Sequence, residues 1–385
     1  MHRAYGSSLA VVCLLFVACS GKTIGAGVDV IGGDGGAALD SGAVGAHDGG
    51  GSTSEAGSKI DGGETDGGGT LHQVDKTAPC DTGVAIDGDA AAFAKAMGIC
   101  HDAAKDGFGL VSASYAKAWG TTTAPVAGQW GLLPKFGSVI RPREGSTLGA
   151  LSSGYAREYD DLTTGTTDFV SGQPLYTFGG GMGAVPPGFP KAAKGCTQDN
   201  QVSDMIVLKL TLKAPPDASG FRFDFNFYSS EWPNYVCSNF NDAFIAYVTS
   251  TKVKGDNISI DPSGNAVGVN NSFLDRCTPG TDVGCSSGTI SGMKNGTATC
   301  VGGDSELTGT GYGTKKPTAC TPTSQQATAG GATGWLTSQA PVTPGETFTL
   351  ELMIFDAGDE ALDSTVLLDN FQWLGGNTSV GTGRN

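Results

Sequence analysis

The stretch FRFDFNFY, residues 221–228, places Phe221, Phe223, Phe225 and Phe227 at alternate positions with Arg222, Asp224 and Asn226 between them. Successive side chains of a strand point to opposite faces, so this period of two predicts a β-strand packed on one side only. Similar runs recur outward from it: GLVSASYAKAW (109–119), MIVLKLTLK (205–213), AFIAYVTS (243–250), FTLELMIF (348–355) and STVLLDNFQW (364–373), with Gly, Pro, Asn and Asp as punctuation. Several such strands without intervening helices predict a mainly β fold, an antiparallel β-sandwich of jelly-roll-like form. One short N-terminal helix is expected in DGDAAAFAKAMGIC (87–100), where Asp89 is placed to cap an Ala-rich body and Gly98 to end it. Residues 278–334, rich in Gly, Thr and Cys, read as a long disulfide-stapled insertion.

The chain of 385 residues opens with Met1-His2-Arg3 and an apolar run from Leu9 to Ala18. That run is about half the length needed to span a bilayer and reads as a signal peptide over residues 1–18. Phe16-Val17-Ala18-Cys19 resembles a bacterial lipobox, with Phe16 where Leu is usual, which makes Cys19 the candidate lipidation site. Ser20 in the next position resembles lipoproteins passed on to the outer membrane. Residues 19–75, dominated by Gly, Asp and Ser, lack the apolar surface to offset ordering entropy and are expected to form a disordered tether. The sandwich domain is then expected over 76–375, with its core at 205–373, followed by a flexible tail at 376–385.

Besides Cys13 and Cys19, eight cysteines remain: Cys80, Cys100, Cys196, Cys237, Cys277, Cys285, Cys300 and Cys320. An even number in an exported chain without a CxxC pair favours disulfides over zinc. Proximity suggests Cys80 with Cys100, Cys277 with Cys285, Cys300 with Cys320, and Cys196 with Cys237. The net charge of −15 repels phosphate backbones and argues against nucleic-acid binding.

Of four histidines only His101 falls in the expected domain, so a multi-His metal site is excluded; its place beside Cys100 suits a cation at the helix C-terminus. No GxSxG elbow, P-loop or HExxH is present. Carboxylates gather in two places. FYSSEWPNYVCSNFNDAF (227–244) supplies Glu231, Asn241 and Asp242, and IFDAGDEALDSTVLLDN (354–370) supplies Asp356, Asp359 and Asp363. Both groups adjoin strand-like runs, where loops at one sheet end can converge, and their oxygens suit calcium. Turn formation and hydrogen-bonded loop pinning account for the same residues without a metal. A glycosidase would pair Glu231 with Asp356 or Asp359, with Trp232, Tyr235 and Trp335 as the loop aromatics available to line a groove.

FNFYSSEWPNYVCSNFNDAFIAYV (225–248), NISIDPSGNAVGVNNSF (257–273), GGATGWLT (330–337) and FDAGDEALDSTVLLDNF (355–371) together resemble the bacterial choice-of-anchor L domain, most strongly from Leu208 to Trp373. CDTGVAIDGDAAAFAKAMGIC (80–100) and LSSGYARE (151–158) resemble the amino-terminal part of its myxobacterial-type members. The resemblance implies a surface or secreted protein that reaches the envelope by its own sorting signal. The expected anchor is the amino-terminal lipid, since GGNTSVGTGRN (375–385) carries no hydrophobic tail. The resemblance supplies no established activity. The functional expectation is a non-catalytic, calcium-stabilised binding or adhesion module that presents Trp232 and Tyr235 to a glycan or surface-protein partner. The alternatives are a glycosidase-like hydrolase and a purely structural envelope protein.

Overall fold

The Phe row lies in a strand that spans Gly220–Ser229, and all four rings are buried between two sheets. The computed structural model describes residues 70–157, 181–233, 235–280, 282–284, 296–317 and 326–384. The expected signal peptide, Cys19, the expected tether up to residue 69, Cys285 and Cys320 lie outside the described residues.

In chain order the described elements begin with β1 (His72–Gln73), α1 (Ala90–Ala96), α2 (Ala103–Asp106), β2 (Gly109–Ala116), β3 (Trp130–Leu133) and β4 (Leu148–Ser152). The long strands follow: β5 (Val202–Lys213), β6 (Gly220–Ser229) and β7 (Ala243–Thr249), then β8 (Lys254–Asn257) and β9 (Val267–Gly268). Residues expected to form the insertion hold β10 (Asp282–Val283), β11 (Gly296–Thr297), β12 (Thr314–Pro317), β13 (Gln326–Ala329) and β14 (Gly331–Ala332). The chain closes with β15 (Leu336–Pro341), β16 (Thr347–Ala357), β17 (Ser364–Gly375) and β18 (Gly381–Arg384). One sheet runs β18-β15-β6-β17-β4-β3, with β1 on β17 and β14 on β6; the other runs β2-β5-β16-β7-β8, with β9 on β7. Their facing apolar rows, including Phe221, Phe223, Phe225, Phe227, Leu208, Leu210, Leu350 and Leu352, make the main core of an antiparallel sandwich. Burying each such side chain contributes about 1.5–3 kcal/mol.

The chain passes repeatedly between the sheets, and the registers fix where those passages meet. Ser229, the last residue of β6, pairs with Ser364, the first of β17. Ala357, the last of β16, pairs with Val202, the first of β5, while Phe355 pairs with Ala243, the first of β7. Thr365 pairs with Ser152 at the end of β4. The β6–β7 and β16–β17 loops therefore cross from sheet to sheet at the same end of the sandwich, and the carboxylates they carry are gathered there.

Several expectations are corrected. The polar row of β6 is not solvated: Asp224 and Asn226 are buried, because a second apolar cluster of Leu133, Phe136, Ile140, Tyr228, Tyr312 and Leu367 covers the outer face of that sheet. Alternation records two unlike faces and does not say whether the polar one is covered. The insertion returns to the sheet before residue 334, since β14 pairs with β6. Residues 381–384 are a sheet strand and not a tail, and Arg384 pairs with Asp275. Residues 72–73, assigned to the tether, pair with β17.

Among the described residues there are two α-helices instead of one. Asp89 caps α1 through Ala92 N–H at 2.8 Å, as expected, and Gly98, at φ 89°, follows the C-cap residue Met97. His101 lies beyond that end: it bonds the Thr77 hydroxyl and pairs with Asp75 and Asp106, so it does not cap α1. Disulfides join Cys80 to Cys100 and Cys196 to Cys237 as expected. Cys277 pairs with Cys300, which overturns both Cys277 with Cys285 and Cys300 with Cys320. The cause is a bridge between Arg276 and Gly303, with Cys277 N–H donating to Gly303 O, that brings the turn at Cys300 against Cys277.

Candidate functional site

At the shared sheet end, Glu231, Asp242 and Asp356 come together, all buried. Glu231 lies two residues beyond β6, Asp242 immediately before β7, and Asp356 at a register shift near the end of β16. Asp242 is the linchpin of the arrangement. Its Oδ2 accepts the Ser364 hydroxyl at 2.7 Å and its Oδ1 accepts Ala357 N–H at 3.1 Å, so it ties β17 of one sheet to β16 of the other. Its own N–H donates to Glu231 Oε2 at 3.3 Å.

Burial pushes all three carboxyls well above the ordinary carboxylate range, and the charges add to that: Asp356 acts on Glu231, Glu231 on Asp242, and Asp242 on Asp356. The hydrogen bonds from Ser364 and Ala357 to Asp242 act the other way and only partly offset burial. Among the described residues, no Lys, Arg or His pairs with any of the three. Neither oxygen of Asp356 accepts a hydrogen bond of ordinary geometry, although the Ser153 hydroxyl and the Asp242 carboxyl lie close enough to act on it. The adjacent Ser153 hydroxyl, which eases its charge, is itself engaged with Ser364.

The other expected ligands are occupied locally. Asn241 donates to Gln198 Oε1 at 2.7 Å and accepts Asn270 N–H at 3.0 Å, which pins the loop. Asp359 is half-buried and accepts Ala361 N–H at 3.0 Å in a turn of its own. Asp363 is buried with its carboxylate against Gly154, where any Cβ would collide with it. Among the described residues no group of three or more His, Cys, Asp or Glu side chains is arranged to hold a metal ion. Of the two pairs considered for glycoside cleavage, Glu231 with Asp356 is sealed from solvent, and in Glu231 with Asp359 the Glu231 member is buried while Asp359 is half-buried.

The two loop aromatics differ from each other. Trp232 is 6% exposed and belongs to the main core, with Gly330 N–H donating to its carbonyl, so it is not on display. An aromatic next to Pro reads as a loop residue; the close passage of Gly331 over its ring is what buries it. Tyr235 is half-buried, edge-on to Phe240 at 5.5 Å. The loop that carries it is held by the Cys196–Cys237 disulfide and by Cys237 N–H donating to Asn270 Oδ1. Trp335 is half-buried beneath the Arg143 guanidinium, 5.6 Å from its ring centroid. Towards the other end of β17 lies a cavity of about 320 Å³ lined in part by Asp75, Cys100, His101, Glu144, Asn370 and Trp373; it holds none of the expected metal or binding residues.

The residues that sequence reasoning missed are small and polar. Ser203 sits directly opposite Asp356 across the β5–β16 pair, and Ser364 and Ser153 hold the carboxylates in place. Ser364 had a signal, as the residue after Asp363 in the second acidic stretch, and Ser153 lies in the LSSGYARE stretch; Ser203 had none.

Residues 186–372 match the choice-of-anchor L domain family. No curated protein and no solved structure matches the chain. The choice-of-anchor L region contains β5 to β9, β16 and most of β17, hence both acidic loops. The match suggests a non-catalytic module at the cell surface and names no ligand. Among the described residues no helix is long and apolar enough to cross a membrane.

Proposed function

We propose that the protein is a lipid-anchored, non-catalytic surface module for binding or adhesion, held at the outer membrane through Cys19 and engaging a glycan or protein through its β6–β7 loop. The observation that carries this reading is the loop's construction. Its base is fixed by a disulfide, by Asn241 and by Asp242, while Tyr235, Asn239 and Phe240 keep exposed surface at its tip. A loop ordered before binding loses little entropy on contact, and an amphipathic Tyr on such a loop gives contact area at low cost. Buried Glu231 and Asp356, out of reach of a substrate, favour binding over hydrolysis.

The test is a glycan array and a panel of glycosidase substrates, run with the full-length chain and with Tyr235→Ser. Binding weakened by at least tenfold in the variant supports the reading. Turnover abolished by Glu231→Gln overturns it in favour of a hydrolase. Intact-mass measurement of the membrane-extracted chain checks the anchor, which fails if Cys19 carries no acyl groups.

A further inference from the structure

We infer that the sheet end holds a calcium-type divalent cation, with the carboxylates of Asp242 and Asp356 as its charged ligands, the hydroxyls of Ser203 and Ser230 as neutral donors, and Glu231 as the adjoining charge. The site is independent of what the β6–β7 loop binds. Three observations lead to it. Three acidic side chains are buried together, and no basic side chain pairs with them among the described residues. Asp356 is 0% exposed, yet neither of its oxygens accepts a hydrogen bond of ordinary geometry, and the polar groups that act on it are the Ser153 hydroxyl and the Asp242 carboxyl. Ser203, opposite Asp356 in the β5–β16 pair, and Ser230, next to Glu231, are also buried, and among the described residues their side-chain oxygens have no partner. Buried polar atoms are ordinarily paired, so several unpartnered oxygens beside an unneutralised carboxylate pair point to a ligand that accepts oxygen donors and supplies positive charge.

The donor chemistry selects the class of ion. All the atoms are oxygens, with no His or Cys among them, which disfavours zinc and other borderline or soft metals and fits a hard cation. Calcium takes six to eight oxygens in flexible geometry and accepts neutral donors and water beside a few carboxylates; magnesium demands near-ideal octahedral geometry. The absence of a ready-made group of three acidic ligands among the described residues is consistent with a shell built on two carboxylates and neutral oxygens. Protons are the rival means of neutralisation. A proton shared between Asp242 and Asp356 removes charge but gives the Ser203 and Ser230 oxygens no partner.

The experiment is calorimetric titration of calcium chloride into the chelator-treated full-length chain, with thermal melts in calcium and in chelator. One calcium per chain is expected, with a melting temperature raised by roughly 5 °C at a hundredfold excess over Kd. Asp356→Asn should abolish the shift. Glu231→Gln should weaken binding at least tenfold, and it provides the reading should Asp356→Asn fail to fold. Identical wild-type melts with no binding heat overturn the site. So does an Asp356→Asn chain as stable as wild type in calcium and in chelator alike, the result expected of a carboxyl already neutral through protonation. Loss of glycan binding with the calcium shift intact rejects the proposed function and leaves the metal site standing.

Discussion

Asp224 and Asp356 are both sealed from solvent, and the protein treats them in opposite ways. Asp224, on the outer face of one sheet, meets Arg143 Nε at 2.6 Å, accepts Asn370 Nδ2 at 2.7 Å and takes the Thr337 hydroxyl. Asp356, at the inner end of the other sheet, has no cation among the described residues and no hydrogen bond of ordinary geometry, only the neighbouring Ser153 hydroxyl and Asp242 carboxyl. A buried charge costs several kcal/mol unless it is paired, so the same residue type at similar burial requires a neutraliser in both places. At Asp224 the chain supplies it from a loop. At Asp356 it supplies only oxygens, which is why an external cation is the natural complement there.

The largest effect should come from breaking the supplied pair. Arg143→Met removes the guanidinium from Asp224 and from Trp335. Removing one partner of a buried pair costs about 3–5 kcal/mol, and because a third of the Arg143 side chain is exposed the expected loss is near the low end, about 3 kcal/mol by denaturant unfolding. A loss below about 1 kcal/mol would mean that the remaining partners of Asp224, Asn370 and Thr337 among them, suffice, and the contrast with Asp356 would collapse.

Asp369 is the intermediate case and sharpens the contrast. It stands opposite Asp224 across the β6–β17 pair and accepts backbone N–H groups from Arg143 at 2.7 Å and Asn370 at 2.6 Å, but it has no guanidinium of its own among the described residues. Burial outweighs those bonds and pushes its carboxyl up to about 8. The folded state then retains a proton that the unfolded chain gives up near 3.8. Its contribution to stability is fully present below the unfolded value and is lost as pH rises through about 8. Unfolding free energy should fall between about pH 4 and 8 with a slope approaching 1.4 kcal/mol per pH unit from this group and level off above, and Asp369→Asn should flatten that component. Equal slopes in wild type and variant would show that the backbone N–H groups do the work of a cation.

The sheets and the sheet end were unequally legible in the sequence. The Phe row of β6 and the apolar runs of β5, β7, β16 and β17 announce themselves because a period of two with large side chains fits little besides a strand. The gathering of Glu231, Asp242 and Asp356 was legible to the extent that acids bordering strands mark sheet ends. Ser203 was not, because its role arises from a register between residues more than a hundred positions apart, and a Ser before a strand carries no such signal. Trp232 misled for a related reason: its burial is set by Gly331, which reaches it through the pairing of β14 with β6. The Cys277–Cys300 bond likewise follows from a backbone bridge that proximity in sequence cannot foresee.

The smallest effect belongs to Asp359, and it tests whether burial and partnering, rather than membership of an acidic run, define the site. Asp359 lies three residues from Asp356, in the loop just beyond β16, and burial raises its carboxyl too, against the pull of its bond from Ala361 N–H. It is only half-buried, however, and its Oδ1 already has that partner at 3.0 Å. Asn keeps the accepting oxygen, so the turn survives, and the partly exposed position loses little when the charge goes. Asp359→Asn should therefore change stability by no more than about 0.5 kcal/mol and leave any difference between calcium and chelator melts as large as in wild type. Melts of Asp359→Asn and Asp356→Asn side by side check this. If Asp359→Asn erases a calcium shift that Asp356→Asn retains, the cation is held by the loop at Asp359, and the unpartnered oxygens of Asp356 have no part in holding it.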